Sequence, residues 1–377
     1  MDLADTPEEA EFRARLREWL AKELPALPGK PPPDDWPARR AYDLGWQRRL
    51  HDAGYAHVHW DASPTVRLIF LEETERAGAP YVGAGFVGLL HAGPTIAAEG
   101  TEAQRERWLP PILRGEEVWC QGFSEPGAGS DLAALRTRAW RDGDDYVVSG
   151  SKIWTSHAEV ADWCELLVRT DPDAPKHRGI TWLALPMDTP GVTVRPLRTL
   201  AGSAEFAEVF LDEVRVPAAH RVGAENDGWR VTMVTLSFER GTAFAGEVVA
   251  CRRVLGELAR EARANGRWDD PALRRRLGAL NARFRALWRL TQWNVSAAEA
   301  SGGVPGVSGS VFKLSYSHAR QELYDTAADV LGDAALDLGR PWVLDRLSSL
   351  SYTIAAGTSQ IQRNIVGERI LGLPKGR

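Results

Sequence analysis

DYVVSG (145–150), WCELLVRT (163–170), ITWLALP (180–186), VTVRPL (192–197) and FAEVFLDEVRVP (206–217) follow one another with turn signals such as Asp142-Gly143 and Pro190-Gly191 around them. Short β-branched and aromatic runs at that regular spacing predict a small antiparallel barrel or sandwich. On both sides the apolar period is helical. Upstream, Thr6-Pro7-Glu8-Glu9 joins an N-cap residue, a proline at the first helical position and a glutamate at the third, with Phe12, Leu16, Trp19 and Leu20 on one face. GKPPPDDWP (29–37) breaks that helix, and apolar stripes return over 38–53 and 65–78. Thr101 with Gln104 repeats the capping pattern ahead of Trp108, Leu109, Ile112 and Leu113. Downstream, 228–264, 271–300, 310–336 and 341–371 read as long helices, interrupted by SGGVPGVSG (301–309), which predicts an antiparallel bundle. The expected fold is therefore α+β and multidomain: an N-terminal helical domain (1–117), a middle antiparallel β-domain (118–222) and a C-terminal four-helix bundle (223–377).

Composition narrows the function. A chain of 377 residues exceeds what one core usually fills, and 44% hydrophobic with 26% charged residues is ordinary for a globular protein. Lys and Arg number 46 against 51 Asp and Glu, a net charge of −5, which argues against a nucleic-acid binder with a basic face. Cys120, Cys164 and Cys251 are too few and scattered for a disulfide framework, and no CxxC pair offers a metal site. The acidic N-terminus lacks the apolar core of a signal peptide, and no apolar run is long enough to span a bilayer, so the expected location is cytoplasmic. Only six of the 46 basic residues are lysine, and tryptophan, at 15, is abundant.

GFSEPGAGSDL (122–132) is the densest motif, with Gly127 and Gly129 able to bring backbone amides close to a polar ligand. It lacks the third glycine and following helix of a dinucleotide fingerprint, and Pro126 stands where a hydrolase elbow has glycine. Read alone, it is equally a tight surface turn.

GFSEPGAGSDLAAL (122–135), SGSKIWTS (149–156), FLDEVRVP (210–217) and AAGTSQIQRNIVGERILGLP (355–374) together resemble, in order and spacing, the acyl-CoA dehydrogenase family of flavoproteins, particularly its actinobacterial and steroid-degrading branches. The resemblance extends over essentially the whole chain and implies the three-part fold above. It also implies FAD as cofactor, α,β-dehydrogenation of an acyl-CoA thioester in fatty acid or steroid side-chain β-oxidation, and an electron-transfer flavoprotein as electron acceptor. Phe123 and Ser124 match residues at the flavin pyrimidine edge, Trp154 the tryptophan packed on the isoalloxazine, and Ser156 a threonine near flavin N5. Thr358 and Gln360 match positions on the ribityl and adenosine side. Ser130 and Arg240 resemble residues bordering the acyl-CoA, and Ala356 the residue whose N–H binds the thioester oxygen.

Many members of the family carry their catalytic glutamate where this chain has Ala356, which has no carboxylate. Other members place it on the first long helix of the C-terminal domain, just before an arginine, and LSFERGT (236–242) offers Glu239 followed by Arg240 there. Glu239 is thus the expected base, and burial against flavin and acyl chain would raise its proton affinity. DVLGDAAL (329–336) stands where relatives contact a neighbouring subunit's FAD pyrophosphate, with Asp329 and Asp333 in place of Gln and Gly. Two carboxylates there would repel it. That leaves either a hetero-oligomer with a related subunit, or a homo-oligomer in which an arginine of LRRRLG (273–278) binds the pyrophosphate. A non-catalytic partner subunit and a flavin monooxygenase on the same fold are the alternative functions. No metal is expected; His57 and His59 in HVHWDASPT lack a third ligand.

Overall fold

The computed structural model describes residues 4–239, 245–300 and 308–374. Along the chain run α1 (Pro7–Glu23), α2 (Trp36–Asp52), α3 (Pro64–Ala77), α4 (Gly93–Glu99) and α5 (Glu102–Leu113). Eight strands follow: β1 (Trp119–Gly122), β2 (Arg138–Asp142), β3 (Asp145–Ser156), β4 (Trp163–Arg169), β5 (Ile180–Pro186), β6 (Val192–Leu197), β7 (Phe206–Pro217) and β8 (Arg221–Val222). Among the described residues that follow are the helices α6 (Gly228–Glu239), α7 (Ala245–Ala264), α8 (Pro271–Ala300), α9 (Ser308–Leu331), α10 (Val343–Ser349) and α11 (Ser359–Ile365). Both expected capping boxes form, Thr6 with Glu9 and Thr101 with Gln104.

By contacts the chain divides into two compact units, Leu27–Asp61 with Pro80–Glu239, and Met1–Ala26 with Ala62–Ala79 and Arg240–Arg377. The first holds one sheet in the order β6-β7-β3-β2-β4-β5-β8, with β1 on β4. Its pairings are antiparallel except β1 with β4 and a single β2–β4 pair, Arg138 with Arg169. Alternate residues of β4 feed two cores. Trp163 and Leu167 join Trp108, Trp119, Trp182 and the helices, whereas Cys164, Leu166 and Val168 join Tyr146, Val148, Val209 and Val214. β4 and β5 are covered on both faces and read as largely apolar runs, interrupted in β4 by the buried Glu165 and ended by Arg169; β7, with Glu208, Asp212 and Arg215 out of the core, alternates. All three cysteines are free and buried.

In the second unit α3 packs on α1, α7 and α8, and α9 packs on α7, α8, α10 and α11. Arg13 of α1 donates to Glu72 (2.8 Å) and Glu73 (2.5 Å) of α3, tying the first helix down. One expectation fails here. Residues 341–371 are not one helix: α10 ends at Ser349, α11 starts at Ser359, and Ala356 (φ 50°) and Gly357 (φ 84°) between them are left-handed. The apolar period persists through that stretch, but Thr358 caps a new helix, its Oγ1 accepting the Ile361 N–H at 3.2 Å. The expected helix over 228–264 is described as α6 and α7, with 240–244 outside the described residues.

Candidate functional site

In the sheet unit, the 122–132 loop leaves β1 directly. Phe123 is buried and Ser124 half-buried, and the Ser124 carbonyl accepts the Ile153 N–H at 2.9 Å, which ties the loop to β3. The next residue, Glu125, explains the loop's shape. Its carboxylate accepts from the backbone N–H of Arg136 (2.7 Å) and Thr137 (2.8 Å) and from Lys152 Nζ (2.9 Å), while Nζ also donates to the Phe123 carbonyl (3.2 Å). Burial pushes the Glu125 carboxyl up, but Lys152 and Thr137 outweigh it and hold it below its usual range. Lys152 is fully buried, so burial pulls its ammonium down and Glu125 opposes that. Glycine at 127 or 129 is demanded by neither packing nor backbone, since a Cβ there would meet no atom of the described residues within 4 Å. The open space is what a ligand's polar group needs.

Just past Lys152 the β3–β7 register slips between Lys152 and Thr155, and Trp154 sits at φ 62°. A bulge of this kind re-aims side chains next to functional sites. The left-handed backbone costs a tryptophan about 1–2 kcal/mol, and the indole is left 58% exposed, edge-on to Phe206 at 6.0 Å. A large flat apolar face held out of the core suits a planar heterocycle. Half-buried Ser156 pairs with Phe206 at the strand end. His157, at φ 58°, packs on Trp36 at 5.2 Å, and burial brings its pKa to about 4, so it is neutral at ordinary pH. Ser130 is exposed; its neighbour Asp131 pairs with Lys176 at 2.8 Å.

α6 closes this unit and ends at Glu239. Its buried Thr235 meets Thr95 of α4, hydroxyl to hydroxyl at 2.8 Å, and Thr95 Oγ1 donates to the His91 carbonyl at 2.7 Å in the π-helical turn Gly88–Ala92. Arg240 lies outside the described residues.

In the helical unit Ala356 is exposed, and among the described residues nothing accepts a hydrogen bond from its N–H. Gly357 is required as glycine: besides φ 84°, a Cβ would come within 2.7 Å of Gln362 Nε2. Thr358 accepts the capping N–H and keeps its own O–H as a donor; Gln360 is exposed; the buried Ser359 Oγ has no partner among the described residues. Asp329 is ion-paired with Arg276, the third arginine of 273–278, so its carboxylate is already neutralised.

The sequence alone did not point to the charged pair Glu125–Lys152, nor to Lys313, which holds the Ala356 turn. Among the described residues no three His, Cys, Asp or Glu gather to hold a metal, and no helix is long and apolar enough to cross a membrane. His57 Nδ1 instead faces Asp61 at 3.4 Å.

Three family models match in succession: acyl-CoA dehydrogenase, N-terminal domain (6–116), middle domain (120–214) and C-terminal domain (226–371). Acyl-CoA dehydrogenase IpdE1 of Mycobacterium tuberculosis is 40% identical over 386 residues, covering 97% of this chain and 98% of that protein. Among solved structures, the Tcur3481-Tcur3483 steroid ACAD superposes with a TM-score of 0.85 at 30% identity, covering 100% of both chains. The ChsE4-ChsE5 complex from Mycobacterium tuberculosis gives 0.81 at 32%, again over 100% of both chains.

Proposed function

Because the chain belongs to the acyl-CoA dehydrogenase family of oxidoreductases, we propose that it converts an acyl-CoA thioester to the trans-2-enoyl-CoA with FAD, using Glu239 as general base. The observation that carries this reading is Trp154, whose indole is held out of the sheet at a left-handed bulge. An exposed aromatic face beside half-buried Ser124 and Ser156 fits an isoalloxazine ring and its polar edge. FAD, when bound, supplies the acceptor for the β-hydrogen and its two electrons, which pass on to an electron-transfer flavoprotein.

The chain's residues take the remaining roles. Phe123, Ser124, Trp154 and Ser156 hold the flavin ring, and Thr358 and Gln360 reach its ribityl and adenosine side. Glu239 takes the α-proton. That proton is too weakly acidic to leave unless charge developing on the thioester oxygen is stabilised, and the Ala356 N–H, without an acceptor among the described residues, is the donor for it. Ser130 and Arg240 border the CoA moiety. The solved neighbour named as a steroid ACAD favours a bulky cyclic or branched acyl group.

A second reading concerns assembly: this chain pairs with a related but different subunit. Two solved structures similar to it are each named for two proteins, one of them as a complex.

The test is to purify the chain, extract and identify its flavin, and add a panel of CoA thioesters without oxygen. Bound FAD that bleaches with a branched or cyclic acyl-CoA is expected. FMN, or no flavin with any co-expressed partner, overturns the reading.

A further inference from the structure

Three polar side chains stand at four-residue intervals on one stripe of α9, and all reach the segment that ends in the Ala356–Gly357 turn. Lys313 Nζ donates to the carbonyls of Tyr352 (2.8 Å) and Gly357 (2.7 Å). Ser317 Oγ donates to the Tyr352 carbonyl (2.9 Å), and Gln321 Nε2 reaches the Ser349 carbonyl and Thr353 Oγ1, both at 3.3 Å. From α11, Gln362 Nε2 donates to the carbonyls of Ala356 (3.2 Å) and Gly357 (3.3 Å).

Lys313 is the member of this set that a fold would not keep for stability alone. It is 5% exposed and has no carboxylate partner among the described residues, so a charge is buried against two neutral carbonyls. Methionine would fill the same space without that desolvation. What the lysine does that methionine cannot is bind both ends of the arc from 352 to 357 at once. Inside the arc sits Ala356, at φ 50°, a conformation a non-glycine residue keeps only where its surroundings over-determine it. Its N–H has no acceptor among the described residues.

We infer that Lys313 is a positioning residue for the dehydrogenation: by clamping the Tyr352 and Gly357 carbonyls it fixes the Ala356 N–H in the orientation that receives the thioester oxygen. This rests on the reading above, in which that N–H binds the substrate carbonyl. Lys313 itself touches neither substrate nor cofactor. A preset donor needs no reorganisation when charge develops on the oxygen, and a looser turn would forfeit that advantage while leaving the rest of the binding surface intact.

The experiment compares the wild-type chain with Lys313→Met by two readouts. One is hydrogen exchange of the free full-length protein. The other is affinity for two probes that undergo no turnover: 3-thiaoctanoyl-CoA, which keeps the carbonyl, and S-octyl-CoA, which lacks it. The expected result is exchange roughly tenfold faster confined to 352–358, with the preference for the carbonyl probe falling roughly three- to tenfold and the thioether affinity unchanged. Equal loss for both probes, or unchanged exchange and preference, overturns the inference. Lys313→Gln, which keeps amide donors, gives an intermediate preference and serves where the methionine variant does not fold. If the wild type binds neither probe, the functional reading fails, and the exchange comparison still decides whether Lys313 holds the turn.

Discussion

Two buried lysines, Lys152 and Lys313, organise two loops singled out by motif, and the sequence held a signal for them that motif reading passes over. The chain has six lysines among 46 basic residues, so arginine is its default cation, and a lysine in an apolar stretch marks a place where a compact ammonium fits and a planar guanidinium does not. Position in a motif, by contrast, revealed Trp154 and Ala356 but not their left-handed backbones, which arise from tertiary pairing. Lys152→Met leaves the Glu125 carboxylate buried with two backbone donors and, of its positive neighbours, only Arg169, and should cost about 3 kcal/mol. Adding Glu125→Gln should recover part of that loss, and urea titrations of the three variants measure it. Glu239→Gln removes the proposed base while sparing the flavin contacts. Turnover should fall about 10²-fold or more with an unaltered flavin spectrum; stopped-flow reduction at wild-type rate would place the base elsewhere.

Among the elements, those whose start is written in local chemistry were legible. Thr6 and Thr101 announce α1 and α5 through capping boxes, and the alternation of 206–217 announces β7. The break between α10 and α11 was not, because Leu350 and Ile354 keep the helical period across it, and both prove to be exposed. Their apolar character says nothing about which way the backbone turns. The packing of α3 on α7 was also invisible, and it has a pH consequence. Glu75 of α3 lies under Gly246 of α7, and burial, joined by repulsion from Glu247 against the pull of Arg253 and Arg320, pushes its carboxyl up to about 7. Between pH 4.5 and 7 the folded state therefore holds a proton that the unfolded state has released, so stability falls as pH rises through that window and stays lower above it. The effect is on the order of 3 kcal/mol. Glu75→Gln should flatten the pH dependence and be the more stable form at pH 8, as denaturation midpoints at pH 5 and pH 8 would register. A mutant curve parallel to wild type would contradict the assignment.

At the scale of the whole molecule the question is what this chain assembles with. The carboxylates of 329–336 looked repulsive to a neighbour's pyrophosphate, but Arg276 neutralises Asp329, and Gly332, beside Asp333, sits against the Arg267 guanidinium. Charge alone therefore no longer separates a homo-oligomer from a mixed one. Apolar exposure says more. Leu336 is 88% exposed, Leu338 60%, Ile354 67%, Leu371 65% and Leu373 56%, all within the last 42 residues of the chain. Five large apolar side chains left in water in so short a stretch favour association, since each one buried contributes about 1.5–3 kcal/mol. The chain should accordingly not be monomeric at micromolar concentration, and replacing Leu336 and Leu338 by Asp should lower the mass seen by light scattering while leaving circular dichroism unchanged. The same measurement with a flavin assay separates the two assemblies. If the chain pairs with a related subunit, as proposed, less than one FAD per chain is expected when it is expressed alone, rising when that subunit is co-expressed. A homotetramer carrying one FAD per chain would show that Arg276 and its neighbours already complete the cofactor site, and that Asp329 is no obstacle to it.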